Sequence, residues 1–594
     1  MKNNLHLSVV CPAERSEKSS CAPGCVRPPG FFAALSMTLG VALSAPVLSA
    51  AEPPSAAEPP LAISAARILA RTKIIASDEF EGRAPSTPGE EKTAAYLTAE
   101  FKKIGLAPGN PDGTYVQPVP MLGLTSKSTA VFAAGGKTST PVVGLDFIAL
   151  SRRLQPIVEV KDSPLVFVGY GVVAPEYGWN DFKDVDVRGR TVVMLINDPP
   201  VIDPATGRLD ERVFRGRAMT YSGRWTYKYE SASERGAAAC LIVHETGPAG
   251  YPFAVLAAGS GREAFDLDSP DQNAGRVAVE GWLTLDTAKQ LFAAAGQDYN
   301  ALKAAAARRD FRPVALAAKA TLTVANTTRA VASKNVVALL PGSDPKLRDD
   351  YVVYSAHWDA FGRDPSRPGD QIFNGAADNA IAVAQLLELA QAAAALPAAS
   401  RPRRSLLFFA PTAEEKGLLG SRYYAAHPLY PLARTVANLN IEPLDANSAY
   451  GPTRDIEVVG RNASTLDDIG ADVARAQGRV LRADTEPEKG YYYRSDHFEF
   501  AKVGVPAYFV RSGLDFIGQP ADYGRKLRQA YLEHDYHKVT DEVKPDWTMA
   551  GAAQNTEFLL HVGLRVANTV APPAWEAGAE FKARRDALLK VAPP

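Results

Sequence analysis

The chain has 594 residues, 46% of them hydrophobic and 22% charged, which is too long for one ordinary domain and is the composition of a soluble globular protein. Its 65 Lys+Arg against 66 Asp+Glu leave a formal charge of -1, so there is no overall basic field to hold nucleic acid or an anionic membrane. No internal repeat of about 20–50 residues is visible, which argues against a solenoid or propeller.

In chain order, basic Arg27 precedes an apolar stretch from Phe31 to Val47 that ends in the small residues Ser49, Ala50 and Ala51. That is the pattern of a secretory leader cleaved near Ala50 or Ala51, and it assigns residues 1–51 to a signal region. The stretch before the apolar run is long for a leader, which leaves a start nearer Met37 as an alternative. A retained single-pass anchor is the other reading, although ~17 mostly small residues span a bilayer only marginally. Residues 52–61 read as a Pro/Ala linker. The mature chain is then expected to be secreted or periplasmic, without stable membrane insertion. Cys11, Cys21 and Cys25 precede the leader's apolar stretch, so Cys240 is the one thiol of the mature chain. It sits in the apolar run Ala237 to Val243 and reads as a buried structural cysteine, so no thiolate cluster is available for metal.

From Ala66 to Leu106 the pattern is helical, with a break at Ser77 to Arg83 and a second helix from Glu90 to Ile104 that places Ala94, Leu97, Phe101 and Ile104 on one face. Residues 122–328 differ: short β-rich runs (Val166 to Tyr170, Thr191 to Ile196, Ala237 to His244) alternate with Gly/Pro/Asp-rich loops, as in an inserted domain. From Lys334 onward β runs and helical stretches alternate: Tyr351 to Ser355, Ala377 to Ala394, Ser405 to Ala410, Leu418 to His427 and Val436 to Ile441. Such alternation predicts an α/β fold around a mostly parallel central sheet. The division that follows is 62–121 and 329–575 for the main domain, 122–328 for the insertion and 576–594 for a tail.

Ligands of parallel sheets bind beyond the C-terminal strand ends. In order, those ends carry His357-Trp358-Asp359, then Asp378-Asn379 at a helix start, Glu414-Glu415, Glu442 and, late in the chain, Tyr536-His537. Two imidazoles with several carboxylates and no thiolate suit two catalytic zinc ions per chain. Asp378 is the candidate bridge, since one carboxylate can span two cations about 3.5–4 Å apart. His357 and Glu442 would complete one metal, Glu415 and His537 the other. Asp359 is placed to orient the His357 ring, and Glu414 to act as general base.

His357-x-Asp359, Gly375-Ala-Ala-Asp378-Asn379, Glu414-Glu415, Asn440-x-Glu442, Ser495-Asp496-His497 and Tyr536-His537 resemble the signature of the co-catalytic zinc aminopeptidases, the zinc exopeptidase group of bacterial leucine aminopeptidases and aminopeptidase Y. The resemblance implies a three-layer sandwich, an inserted protease-associated-like domain and hydrolysis of N-terminal residues from peptide substrates. It also implies Asp378 as bridge, Glu414 as base and His357, Glu415, Glu442 and His537 as terminal ligands. Where that family usually carries Asp, this chain has Glu442, one methylene longer, with Asp445 as the alternative ligand. Ile381-Ala382 replace a frequent Ser-Gly pair, a change that reads as helix packing.

His534 could compete with His537, but the Tyr-His form and the following Thr540-Asp541 favour His537. His497 reads as a supporting or pocket group, and Tyr493 as an oxyanion donor or a packing residue. His244, His427 and His561 read as structural. A carboxypeptidase would need a cation for the substrate's terminal carboxylate, and Arg494 and Arg511 are the candidates. A one-zinc glutaminyl cyclase and a receptor-like binding protein are the remaining alternatives. Oligomeric state is not legible.

Overall fold

The computed structural model describes residues 61–591 except 462. The leader over 1–51 and all but the last residue of the linker lie outside the described residues. Helices α1 (Ala65–Ile75) and α2 (Pro88–Ile104) come first. The Ser64 side chain caps α1 by accepting from the Arg67 N–H, whereas α2 opens on Pro88, which has no N–H to satisfy, and closes on left-handed Gly105. Their buried faces are Ile68, Thr72 and Ile75 in α1, and Ala94, Leu97 and Phe101 in α2. Arg67 and Arg71 of α1 pair with the fully buried Glu388 at 2.5 and 2.9 Å, fixing this N-terminal segment to the fold's central helix.

The strands follow as β1 (Val116–Ala134), β2 (Phe147–Leu150), β3 (Ile157–Phe167), β4 (Thr191–Leu195), β5 (Ala239–His244), β6 (Ala264–Leu267) and β7 (Val279–Thr284). Then come β8 (Val314–Leu340), β9 (Tyr351–Ser355), β10 (Ser405–Ala410), β11 (Thr435–Ile441), β12 (Asp455–Val459), β13 (Val480–Ala483) and β14 (Ala507–Ser512). One sheet runs in the order β13-β12-β14-β11-β9-β10-β8-β3-β4-β5-β7-β2. The pairs β10-β9, β9-β11, β11-β14, β3-β4, β4-β5 and β5-β7 are parallel.

Period-two alternation sorts the side chains of β9 and β10 into two helix layers. Val352, Tyr354, Leu406 and Phe408 face α1, α2, α4 (Ile381–Ala394) and α9 (Ala550–Asn568). Val353, Leu407 and Phe409 face Tyr424 of α5 (Leu419–Ala426) and Phe500 of α7 (His497–Lys502). The result is a three-layer α/β sandwich with α4 almost wholly buried inside it, which is why α4 reads as an apolar run rather than an amphipathic stripe.

Residues 130–324 contribute two further apolar clusters, one around Phe167, Leu241 and Phe292 and one around Val192, Cys240 and Trp282. Cys240 lies fully buried in β5, where desolvation holds its thiol well above the ordinary range. Of the run read from Val166 to Tyr170 only Val166 and Phe167 are strand, the end of the longer β3, while residues 168–170 turn away from it; the first half of β3 carries exposed Glu159, Lys161 and Asp162 and therefore reads as loop. Long β1 and β8 pair antiparallel from Val116↔Val336 to Ala134↔Ala318. Both boundaries drawn for the insertion fall inside this ribbon, where Leu122 pairs with Ala330 and Leu124 with Thr328. No described helix is long and apolar enough to cross a membrane.

Candidate metal centre

The strand-end residues converge. His357 follows β9, Glu414 and Glu415 follow β10, and Glu442 follows β11 directly. Asp378 lies in an irregular turn over residues 376–380 with φ -116° and ψ 85°, so it precedes α4 rather than capping it in helical geometry. His537 comes from the loop after α8 (Tyr523–His534).

His357 Nε2 stands 3.4 Å from Asp378 Oδ1 and 3.1 Å from Glu442 Oε2. His537 Nε2 stands 3.3 Å from Asp378 Oδ2 and 3.4 Å from Glu415 Oε2. Two triads result, His357/Asp378/Glu442 and Asp378/Glu415/His537, each with its donor atoms within 4.8 Å of one another. A tetrahedral zinc with ligands at about 2.0–2.2 Å holds its donors about 3.3–3.6 Å apart, so the spacing fits. Glu415 Oε1 is buried without a hydrogen-bond partner among the described residues, as suits a carboxylate meant for a cation. Glu414 belongs to neither triad, and its Oε2 lies 4.0 Å from His357 Nε2.

The supports are mostly main-chain contacts. Asp359 was expected to hold the His357 ring through its carboxylate. Instead His357 Nδ1 donates to the Asp359 carbonyl at 3.2 Å, while the carboxylate accepts the N–H groups of Glu414 (3.0 Å) and Glu415 (3.3 Å). The carboxylate is 3.6 Å from Nδ1 and fixes the loop of the two glutamates. Glu442 Oε2 accepts from Asn379 Nδ2 at 3.1 Å and from the Ser495 hydroxyl at 3.4 Å, and Asn440 donates to Ser495. Asp541 accepts the N–H groups of Ala377 (3.0 Å) and Asp378 (3.1 Å).

The largest support absent from the sequence reading is Arg83, which there only marked a helix break. Its buried guanidinium donates to the carbonyls of Trp358 (2.9 Å), Ile75 (2.9 Å), Asn374 (2.6 Å) and Gly375 (2.9 Å), tying together the loops of His357 and Asp378. Gly375, at φ +54°, leaves room for this: a Cβ there would sit 2.8 Å from the Ala360 methyl and 2.9 Å from Arg83 Nη2. Backbone carbonyls carry no sequence signature, so nothing in the chain announced these contacts.

Electrostatics follow the crowding. Burial pushes the carboxyls of Glu414, Glu415 and Glu442 upward, and pushes Asp541 up to about 7. For His357 burial acts downward but is outweighed by Glu442 and Glu414, so its pKa rises. At Asp378 burial acts upward and the two imidazoles outweigh it, so its pKa falls. Carboxylates gathered this closely release their protons to a cation.

Other expectations change. Asp445 accepts from Arg528 at 2.8 Å and from the Asn447 N–H, and takes no part in either triad, which leaves Glu442 in that place. His534 is exposed beside Glu533. His497 packs between Tyr492 and Phe509 in the interior, outside the cleft, because its neighbours are aromatic rather than acidic. The Tyr493 hydroxyl donates to Glu580 at 2.7 Å and is not free for an oxyanion. Arg511 is sealed by Glu457 and Asp484, both at 3.0 Å, whereas Arg494 lines the cleft.

Two carboxylate-imidazole triads sharing one aspartate at the C-terminal edge of a parallel sheet, one in the core and one at its margin, have the donor chemistry of a metal-dependent hydrolase. Residues 335–560, which hold both triads and Glu414, match the model of peptidase family M28. No curated protein matches the chain. Solved structures similar to it include the aminopeptidase from Aneurinibacillus sp. strain AM-1, at 18% identity over 86% of this chain and 96% of that one with a TM-score of 0.45. Two others are BSAP, a zinc aminopeptidase from Bacillus subtilis (16%, 88% and 99%, 0.39), and a peptidase M28 precursor from Shewanella amazonensis (16%, 86% and 97%, 0.38).

Proposed function

We propose that this chain is an exported aminopeptidase that removes N-terminal residues from peptides with two zinc ions. His357, Asp378 and Glu442 would hold one, Asp378, Glu415 and His537 the other. The observation that carries the reading is the division of the Asp378 carboxylate, one oxygen toward each imidazole. Cations held there would supply Lewis acidity for a scissile carbonyl and for water. Glu414, beside both triads and in neither, takes the water's proton and passes it to the leaving amine. Asp359 holds that base in place through the two main-chain N–H groups, and Asp541 does the same for Asp378.

The N-terminal direction of cleavage rests on the resemblance of the signature from His357-x-Asp359 to Tyr536-His537. Export rests on the leader pattern over residues 1–51, and residues 122–328 are assigned as a non-catalytic, protease-associated-like insertion. A carboxypeptidase is the second reading, favoured by Arg494 on the cleft wall. A cyclase that needs one metal would leave Glu415 and His537 without a task.

The test is metal analysis together with hydrolysis of amino-acyl anilides. Two zinc ions per chain are expected, with activity lost to a chelator and restored by zinc or cobalt. Full activity after exhaustive chelation, or C-terminal trimming without N-terminal cleavage, overturns the aminopeptidase assignment.

A further inference from the structure

The cleft over the candidate metal centre, about 760 Å³, is lined by all six site residues and also by Arg224, just before α3 (Trp225–Glu234), and by Arg494, which precedes Ser495.

The remaining cations of the walls are mostly engaged. Arg152 and Arg276 pair with Asp266 and Glu280, Arg422 pairs with Asp266, and Lys502 holds Glu230 at 2.5 Å. Lys416 lies over the Phe361 and Phe265 rings, and Arg262 is exposed to solvent.

Arg224 and Arg494 differ from these. Neither has a carboxylate within ion-pair reach among the described residues, and each keeps Nε buried without a hydrogen-bond partner. Arg494 lies over the Tyr491 ring, 5.3 Å from its centroid. Burial holds Arg224 down to about 9, and the charge of Arg494 acts in the same direction, so the two cations repel each other. Desolvated guanidinium donors facing one cleft without a counter-ion are costly unless a ligand supplies the anion. A planar guanidinium fork matches a carboxylate.

We infer that Arg224 and Arg494 form a carboxylate subsite that binds the free carboxylate of a short peptide whose scissile bond lies over the metal centre. This rests on the aminopeptidase reading. Because the pair shares the cleft with the centre, a terminal carboxylate reaches it only when few residues follow the scissile bond. An acidic side chain in that stretch offers the same chemistry.

The test compares Ala-Ala, Ala-Ala amide and Ala-Asp amide on the zinc-loaded full chain and on its Arg224→Gln and Arg494→Gln variants. The readout is the ratio of kcat/KM for acid over amide within each preparation, so a partly folded sample cancels. The wild-type ratio is expected to exceed ~10 and to fall by about 10–100-fold in either variant through KM, the loss expected for hydrogen bonds to a charged group. Ala-Asp amide behaving like Ala-Ala would assign the subsite to side chains, and behaving like Ala-Ala amide would assign it to the terminus. A wild-type ratio near one, or a ratio unchanged in both variants, overturns the proposal. Cleavage of N-acetyl-Ala-Ala in place of Ala-Ala, with the same arginine dependence, overturns the aminopeptidase reading and keeps the subsite. If no peptide is hydrolysed, calorimetry with N-acetylalanine and its amide decides, and equal binding by wild type and variants overturns the subsite.

Discussion

The two triads share Asp378 yet are built differently. The His357 side is part of the core: the ring is 1% exposed, its Nδ1 is held by a main-chain carbonyl, and Glu442 is braced by Asn379 and Ser495. On the other side the His537 side chain is 37% exposed, sits at φ 58° on a loop and is steadied by stacking on Tyr536 (3.7 Å between ring centroids) and by a tilted contact with Phe361 (4.6 Å). A half that is preorganised by the fold should hold its cation more tightly than one set by a loop. If the proposed pair of cations is bound, then, the two positions would not be equivalent.

The sharpest way to break this comparison is to act beside both triads at once. Glu414→Gln is expected to slow turnover by roughly 10²–10⁴-fold with both cations retained by elemental analysis. Loss of metal instead would place Glu414 among the ligands and dissolve the distinction between base and triad.

Next in size is Arg83→Leu, which leaves four carbonyls around the His357 and Asp378 loops without their donor. We expect about 1–3 kcal/mol lower stability in denaturant unfolding, the cost of leaving a buried acceptor unsatisfied, even for metal-free protein. An unchanged midpoint would show that the buried half is not part of the core. By contrast, His537→Ala should change metal-free stability by no more than about 0.5 kcal/mol while equilibrium dialysis finds one cation fewer.

The smallest effect is in pH. His357 must release a proton that Glu442 and Glu414 hold above the ordinary imidazole range, and Glu415 one that burial holds above the ordinary carboxyl range. Cation binding displaces these protons, so chelator competition should show affinity rising as pH increases through neutrality. A flat profile would mean that the ligands are already ionised without metal.

The chemistry of the site was readable because it depends on side chains at strand ends, and the order of β9, β10 and β11 brings His357, Glu414, Glu415 and Glu442 together. What escaped depends on the main chain or on distant pairing. Arg83 acts on carbonyls, the Asp359 carboxylate acts on N–H groups, and both partners are chemically anonymous in sequence. Asp445 is occupied by Arg528 and the Tyr493 hydroxyl by Glu580, pairings across 83 and 87 positions that no local pattern reveals. The edges drawn at 122 and 328 were placed by composition, but β1 and β8 pair without a break through both positions.

That ribbon has one more consequence. The chain leaves and re-enters the peptidase portion across neighbouring rungs, where paired Cα atoms lie about 4.5–5.5 Å apart. His357, after β9, lies outside the segment between those rungs, whereas Arg224 lies within it. Arg224 thus belongs to the segment between those rungs and Arg494 to the part of the chain that holds both triads, so a substitution far from the six site residues can alter one guanidinium of the proposed subsite while the other stays fixed beside Ser495.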